Sequence, residues 1–214
     1  FMVSKKDKIH NAAMILLGFA ILMMGMETMS SAVKPLANVP EFTGVLTRFS
    51  NPLLGMLAGV LLTAIIQSSS ASVGILQALC LTGAVGYSAA LPIIMGQNIG
   101  TCVTAMLSGV GASKNGKRAA LVHLYFNVIG TVLFMVLFYA INAIVPFSFM
   151  TQSATPVGIA MIHSVFNVFA TVVLFPFSNV LVKLAYLTVR DTDQAGEPKE
   201  GDRTLQVLDP RFLE

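Results

Sequence analysis

No Asp, Glu, Lys or Arg occurs between Phe49 and Ser113, and none between Ala119 and Val182. A membrane-spanning helix needs about 20 mostly apolar residues, so each charge-free run can cross a bilayer more than once. Charged residues make up 11% of the 214-residue chain and hydrophobic ones 55%, whereas soluble domains carry about 25% charge. The chain therefore reads as an all-α integral membrane protein whose first partner is the lipid bilayer. Its net charge of +3 reflects basic loops that orient it in the membrane and does not point to nucleic acid.

The apolar runs divide the chain. A first helix is expected over 9–31, a second apolar stretch over 51–84, a third over 87–110, and two long helices over 119–145 and 156–182, completing a transmembrane unit at 1–190. Residues 191–214 change character, with QAGEPKEGDR reading as soluble linker. Basic residues cluster at Lys5, Lys6 and Lys8, at Lys114, Lys117 and Arg118, and at Lys183. Placing all three on the cytoplasmic side puts the N-terminus, the 114–118 loop and the C-terminal tail in the cytoplasm. The 51–84 stretch must then enter and leave on one side. It is too short for two full crossings, which need about 40 residues, and Gln67-Ser68-Ser69-Ser70 interrupts its middle. A re-entrant helical hairpin turning at this QSSS run satisfies both constraints.

A second polar interruption, Gly96-Gln97-Asn98-Ile99-Gly100-Thr101, falls inside 87–110. Gly96 suits a helix C-cap and Thr101 an N-cap, so a discontinuous transmembrane helix is expected. Irregular backbone at membrane depth is tolerated only where protein buries it or a watery cavity receives it. Broken helices expose carbonyls at one end and amides at the other, favouring cations and anions respectively. At the first break Ser68, Ser69 and Ser70 put hydroxyls beside free amides. At the second, Gln97 and Asn98 offer amide oxygens to a cation and NH₂ groups to an anion. No Lys or Arg is at hand to neutralise an anion, and dipoles alone hardly offset its dehydration. A co-bound cation would supply that charge, and hard amide and carbonyl oxygens suit Na⁺. The residues thus describe a cation-coupled anion carrier with no organic cofactor.

Other features are plainer. His123-x-x-Phe126-Asn127-Val128-x-x-Thr131 repeats as His163-x-x-Phe166-Asn167-Val168-x-x-Thr171, placing His and Asn on one helix face. Either a solute-facing stripe or interhelical hydrogen bonding accounts for it. Cys80 and Cys102 sit in apolar segments as free thiols, and Met23, Met24, Met26 and Met29 read as packing residues. An intramembrane hydrolase using Ser69 with His123 or His163 is disfavoured, because no G-x-S-x-G is present and the serines are redundant. The chain is read as a non-enzyme.

Asn51-Pro52, Thr63-Ala-Ile-Ile-Gln-Ser-Ser-Ser70, Gly96-Gln-Asn-Ile-Gly-Thr101 and the His123…Asn127 helix together resemble the sodium–phosphate cotransporter family, type II and its bacterial relatives. The resemblance implies an inverted-repeat transporter with a QSSS hairpin in each repeat, the two tips jointly binding phosphate and Na⁺. Carried over, Ser68, Ser69, Ser70, Asn98 and Thr101 contact phosphate, and Gln67, Gln97, Asn98 and Thr101 neighbour Na⁺. Only one QSSS occurs here, so the chain matches one repeat, the second. It would pair with a first repeat or with a second copy of itself. The segment Leu208–Glu214 resembles the start of a PhoU-like cytosolic domain. The implied function is sodium-coupled uptake of inorganic phosphate across the plasma (inner) membrane, with a non-transporting scaffold for a phosphate-sensing domain as the alternative.

Overall fold

The computed structural model describes residues 7–33, 35, 39 and 48–190. The expected linker at 191–214 and the basic residues Lys5 and Lys6 lie outside them. The described residues form eight α-helices and no strand: α1 Asp7–Val33, α2 Pro52–Ile66, α3 Ser69–Cys80, α4 Tyr87–Gly100, α5 Cys102–Gly109, α6 Lys114–Ile144, α7 Pro156–Leu174 and α8 Ser178–Thr188. Among the described residues, four stretches are long and apolar enough to cross a membrane: Lys8–Met29, Tyr87–Gly109, Lys114–Ile144 and Pro156–Thr188.

Local chemistry sets the boundaries. Asn51 caps α2 by accepting from the N–H groups of Leu53 and Leu54 at 3.0 and 3.4 Å, and Pro52 follows at the first helical position, where its missing N–H costs nothing. Helix α6 begins ahead of the apolar run from Ala119, because Ser113 Oγ accepts from Gly116 N. Lys114, Lys117 and Arg118 are therefore helical. Pro176 sits in a 3₁₀ turn, Phe175–Phe177, that separates α7 from α8.

Helices α2 and α3, of 15 and 12 residues, reach only about 22 and 18 Å at 1.5 Å per residue. That is short of the roughly 30 Å hydrocarbon core. They fold back on each other as a hairpin. Thr63 Oγ1 and Ser72 Oγ are 2.8 Å apart, although nine residues would separate them by about 13 Å along one straight helix.

Helix α4 is the centre of the molecule, with Ala89 through Asn98 all buried. Around it pack Leu76 of α3 and Ile159, Phe166 and Ala170 of α7, with Phe134 of α6 edge-on to Phe166 at 5.4 Å. On the α2 side the contact is made by two small-residue pairs, Gly55 with Gly59 and Gly96 with Gly100. A Cβ on Gly59 would collide with the carbonyl of Ile93, and one on Gly96 with the carbonyl of Met56. Backbone meets backbone, which is how membrane helices gain dispersion contact without a hydrophobic driving force.

This corrects the expected break at Gly96–Thr101. Gly96 lies within α4 and caps nothing. Thr101 keeps right-handed helical torsions (φ −62°, ψ −25°), donates its N–H to the carbonyls of Gln97 and Ile99, and makes no side-chain cap. Helix α4 therefore runs into α5 with only a turn at Thr101. The glycines that looked like a cap are small so that α2 can approach.

The loops at the far end are tied together. Ala154 N donates to Val85 O at 2.8 Å and Tyr87 N to Gln152 O at 3.1 Å, joining the α3–α4 connector to the α6–α7 loop.

Candidate functional site

The hairpin tip is one backbone residue wide at its sharpest point. Gln67 adopts left-handed torsions (φ 57°, ψ 21°), the one positive φ outside glycine among the described residues. It ends α2 and donates its N–H to Thr63 O at 2.7 Å. A side chain in this region costs about 1–2 kcal/mol, which marks the tip as a strained, chemically specified position. Ser68 follows in extended conformation and caps α3, its Oγ accepting from Ala71 N at 3.3 Å. The QSSS break is thus real: α2 ends in carbonyls and α3 starts in amides within two residues.

Ser69 and Ser70 stand in the first turn of α3 and line a cavity of about 600 Å³. Leu22, Met26 and Met29 of α1 form its apolar wall, and His163 of α7 contributes a polar edge. Met23 and Met24 of the methionine cluster are exposed instead.

Behind the tip lies a buried polar network. Gln97, 1% exposed, donates from Nε2 to Ser72 O at 3.0 Å and to Ser72 Oγ at 2.9 Å. Those two bonds fix the amide, because a flip would set oxygen against oxygen. Gln97 Oε1 is then buried with no hydrogen-bond partner among the described residues. An unpaired buried acceptor costs about 1–3 kcal/mol and is an oxygen ready for a donor or a cation. Asn98, also buried, donates from Nδ2 to Ile94 O at 2.9 Å, and its Oδ1 meets His163 Nε2 at 3.1 Å. Thr101 is turned inward, its hydroxyl donating to Asn98 O.

Of the seven residues singled out from sequence, Ser69 and Ser70 reach the cavity, and Asn98 touches it through His163. Gln97 lies behind it on Ser72. Gln67 and Ser68 are exposed at the tip, and Thr101 is satisfied locally. Sequence reasoning gave no role to Thr63 and Ser72, which join α2, α3 and α4. The signal was there as spacing, since Thr63 precedes Gln67 by four residues and Ser72 follows Ser68 by four, the interval that stacks side chains on one helix face. The duplicated His/Asn pairs are not equivalent. His163 bonds across helices to Asn98, while His123 is exposed. Asn127 and Asn167 each donate back to the carbonyl of the His four residues earlier.

Apolar helices surround a short hairpin whose tip carries two serines on a mostly apolar cavity, with an unpaired amide oxygen buried behind it; the class is an all-helical membrane protein. Sequence comparison gives the same class a family. Residues 21–163 match the Na+/Pi-cotransporter family, and the chain belongs to it. Among its relatives, the uncharacterized protein YqeW of Bacillus subtilis is 31% identical over 175 residues, 81% of this chain and 56% of YqeW. Human sodium-dependent phosphate transport protein 2B is 38% identical over 122 residues, 53% of this chain and 18% of that protein. The putative inorganic phosphate export protein YjbB of Salmonella typhimurium is 23% identical over 197 residues, 89% of this chain and 35% of YjbB. The chain thus spans about half of YqeW and much less of the mammalian transporter. No solved structure matches.

Proposed function

We propose that the chain forms half of a sodium-coupled inorganic phosphate carrier, working in the direction of uptake across the plasma membrane. The cytoplasmic side carries its N-terminus, the 114–118 turn and the tail. In this reading α2 and α3 are a re-entrant hairpin, and residues 1–190 are one of two inverted repeats, the other half coming from a first repeat or from a second copy of the chain. Residues 191–214 lead toward a PhoU-like cytosolic domain.

The observation that carries the proposal is Gln97 Oε1, a carbonyl oxygen buried without a donor directly behind two opposed helix ends. A hard cation satisfies such an oxygen, and Gln67, Asn98 and Thr101 add further oxygens on the same two elements. Phosphate is held by the hydroxyls of Ser68, Ser69 and Ser70 and by the amides that open α3, with Asn98 and Thr101 beside it. Because α4 is unbroken at Gly96, only the hairpin supplies helix-end dipoles, and α4 contributes side chains. No ionised side chain sits among these groups, so phosphate binding depends on the positive charge of Na⁺.

The test is binding and uptake of radiolabelled phosphate by the chain in proteoliposomes, with and without an inward Na⁺ gradient. Phosphate association should require Na⁺, and Ser69→Ala and Gln67→Ala should each abolish uptake while leaving the protein monodisperse. Uptake indifferent to Na⁺ would remove the proposal.

A further inference from the structure

The pairing of His163 with Asn98 fixes more than a contact. Asn98 Nδ2 donates to Ile94 O, so its amide cannot be reversed without setting oxygen against oxygen. The atom facing His163 Nε2 is therefore Oδ1, which only accepts. His163 Nε2 must carry the proton. In the neutral imidazole the other nitrogen, Nδ1, is then a bare acceptor, and it has no partner among the described residues. The same ring lines the cavity with Ser69 and Ser70. The serine hydroxyls donate and accept alike, and the amides opening α3 only donate. With the ring neutral, His163 Nδ1 joins Gln77 Oε1 as a side-chain atom of this cavity's lining that can only accept.

We infer that His163 is the residue by which the site selects an oxyanion that carries a proton. The inference rests on the phosphate reading given above and deepens it. Near neutral pH phosphate exists as H₂PO₄⁻ and HPO₄²⁻ in comparable amounts, and each carries a P–O–H that donates a hydrogen bond. Sulfate is also tetrahedral and divalent but has no proton to give. Against His163 Nδ1 the first forms a hydrogen bond, while the second sets lone pair against lone pair. Discrimination then comes from a half-buried acceptor held in one tautomer and not from size or charge, since a site built to hydrogen-bond one ligand rejects an analogue that leaves its polar group unpaired. The proton stays on the substrate throughout, and Asn98 acts only by holding the tautomer.

Arsenate and selenate are the probes. They share shape and size, and in mildly alkaline buffer arsenate is mostly HAsO₄²⁻ while selenate is fully deprotonated. Competition against radiolabelled phosphate, with Na⁺ present, reads their relative affinity. Arsenate should displace phosphate from the protein and selenate should not. In His163→Leu the arsenate-over-selenate ratio should fall by about tenfold or more, the worth of one hydrogen bond to a charged ligand. His163→Gln, which keeps both a donor and an acceptor, should restore much of it. Equal competition by the two ions in the unaltered protein overturns the inference without need of a variant. An unchanged ratio in His163→Leu, with phosphate still bound, overturns it while leaving the phosphate site intact. Failure of the unaltered protein to bind phosphate at all overturns the functional reading and this inference together.

Discussion

Thr63 Oγ1 donates to Ser72 Oγ at 2.8 Å, and the same Ser72 oxygen accepts from Gln97 Nε2 at 2.9 Å. Three helices meet in two hydrogen bonds, with all three side chains buried. The hairpin arms are therefore fastened to each other and to α4 just behind the tip. Because Ser72 is the shared partner, the two ends should respond unequally. Thr63→Val removes one bond and leaves Ser72 with Gln97, at a cost of about 1 kcal/mol. Ser72→Ala leaves the Thr63 hydroxyl and one Gln97 N–H without that acceptor, at a cost of about 2–3 kcal/mol. Thermal unfolding in detergent should rank them in this order. The double variant should be no worse than Ser72→Ala alone, since the two residues share one interaction. Additive losses would show that the network is not a unit.

Where α2 meets α4 the tolerance for added atoms is smaller still. Gly59 and Gly96 face backbone carbonyls that cannot move aside as a side chain could. Ala at either position should destabilise by about 1–3 kcal/mol or prevent folding, as overpacking does. A Cβ added to Gly18 of α1 would meet nothing within 4 Å, so Gly18→Ala should be neutral or slightly stabilising, Ala being the better helix former. Expression and monodispersity of the three variants decide the matter. A tolerated Gly96→Ala would mean that α2 does not pack as described.

Those glycines also show where the sequence could and could not be read. Charge-free runs located the membrane helices after α1, because long segments without charge leave few alternatives. Gln67–Ser70 located the hairpin tip, because a short helix either side of a polar run has no other way to satisfy its backbone. Gly96–Thr101 was misread, because Gly serves helix ends and close packing alike and only the position of α2 separates the two. Thr63, although it opens the quoted motif, and Ser72 were given no role because each is an ordinary small polar residue until the hairpin folds them together. His163 was visible as half of a repeat and as the base of a disfavoured hydrolase, not as a partner of Asn98. Its bond to Asn98 depends on how α7 lies against α4, and periodicity within α7 carries no information about that.

Gln67 tests whether the tip is shaped for binding or for stability. Left-handed torsions are unfavourable for Gln and open to Gly and Asn. Gln67→Gly should therefore match or exceed the parent in stability, by up to about 1 kcal/mol once the added freedom of the unfolded chain is offset. If the amide side chain is retained for the cation, the same substitution should raise the Na⁺ concentration needed for half-maximal phosphate binding several-fold. Unfolding midpoints and Na⁺ titrations on one preparation separate the two effects. A Gln67→Gly variant that is destabilised with unchanged Na⁺ dependence would assign the residue to folding alone.

At the end of the bundle where α8 finishes, a single arginine gathers several contacts. Arg118, 7% exposed, donates to Val189 O from Nε at 3.2 Å and from Nη2 at 2.9 Å, and to Asn115 Oδ1 from Nη1 at 3.0 Å. Its guanidinium lies 3.9 Å from the centre of the Tyr186 ring. The fork caps the carbonyl just past α8 and pins that helix to the first turn of α6. Lys cannot reproduce a planar two-pronged donor that also stacks on an aromatic ring. Arg118→Lys should therefore cost about 2 kcal/mol, from one charge-assisted hydrogen bond and most of the stacking. The loss should show first as faster hydrogen exchange at the amides of residues 185–189, with α4 unaffected. Lys117→Ala, at an exposed neighbour on the same turn, should change stability by less than about 0.5 kcal/mol. If exchange at the end of α8 is the same in Arg118→Lys as in the parent, something other than this arginine holds the C-terminal helix in place.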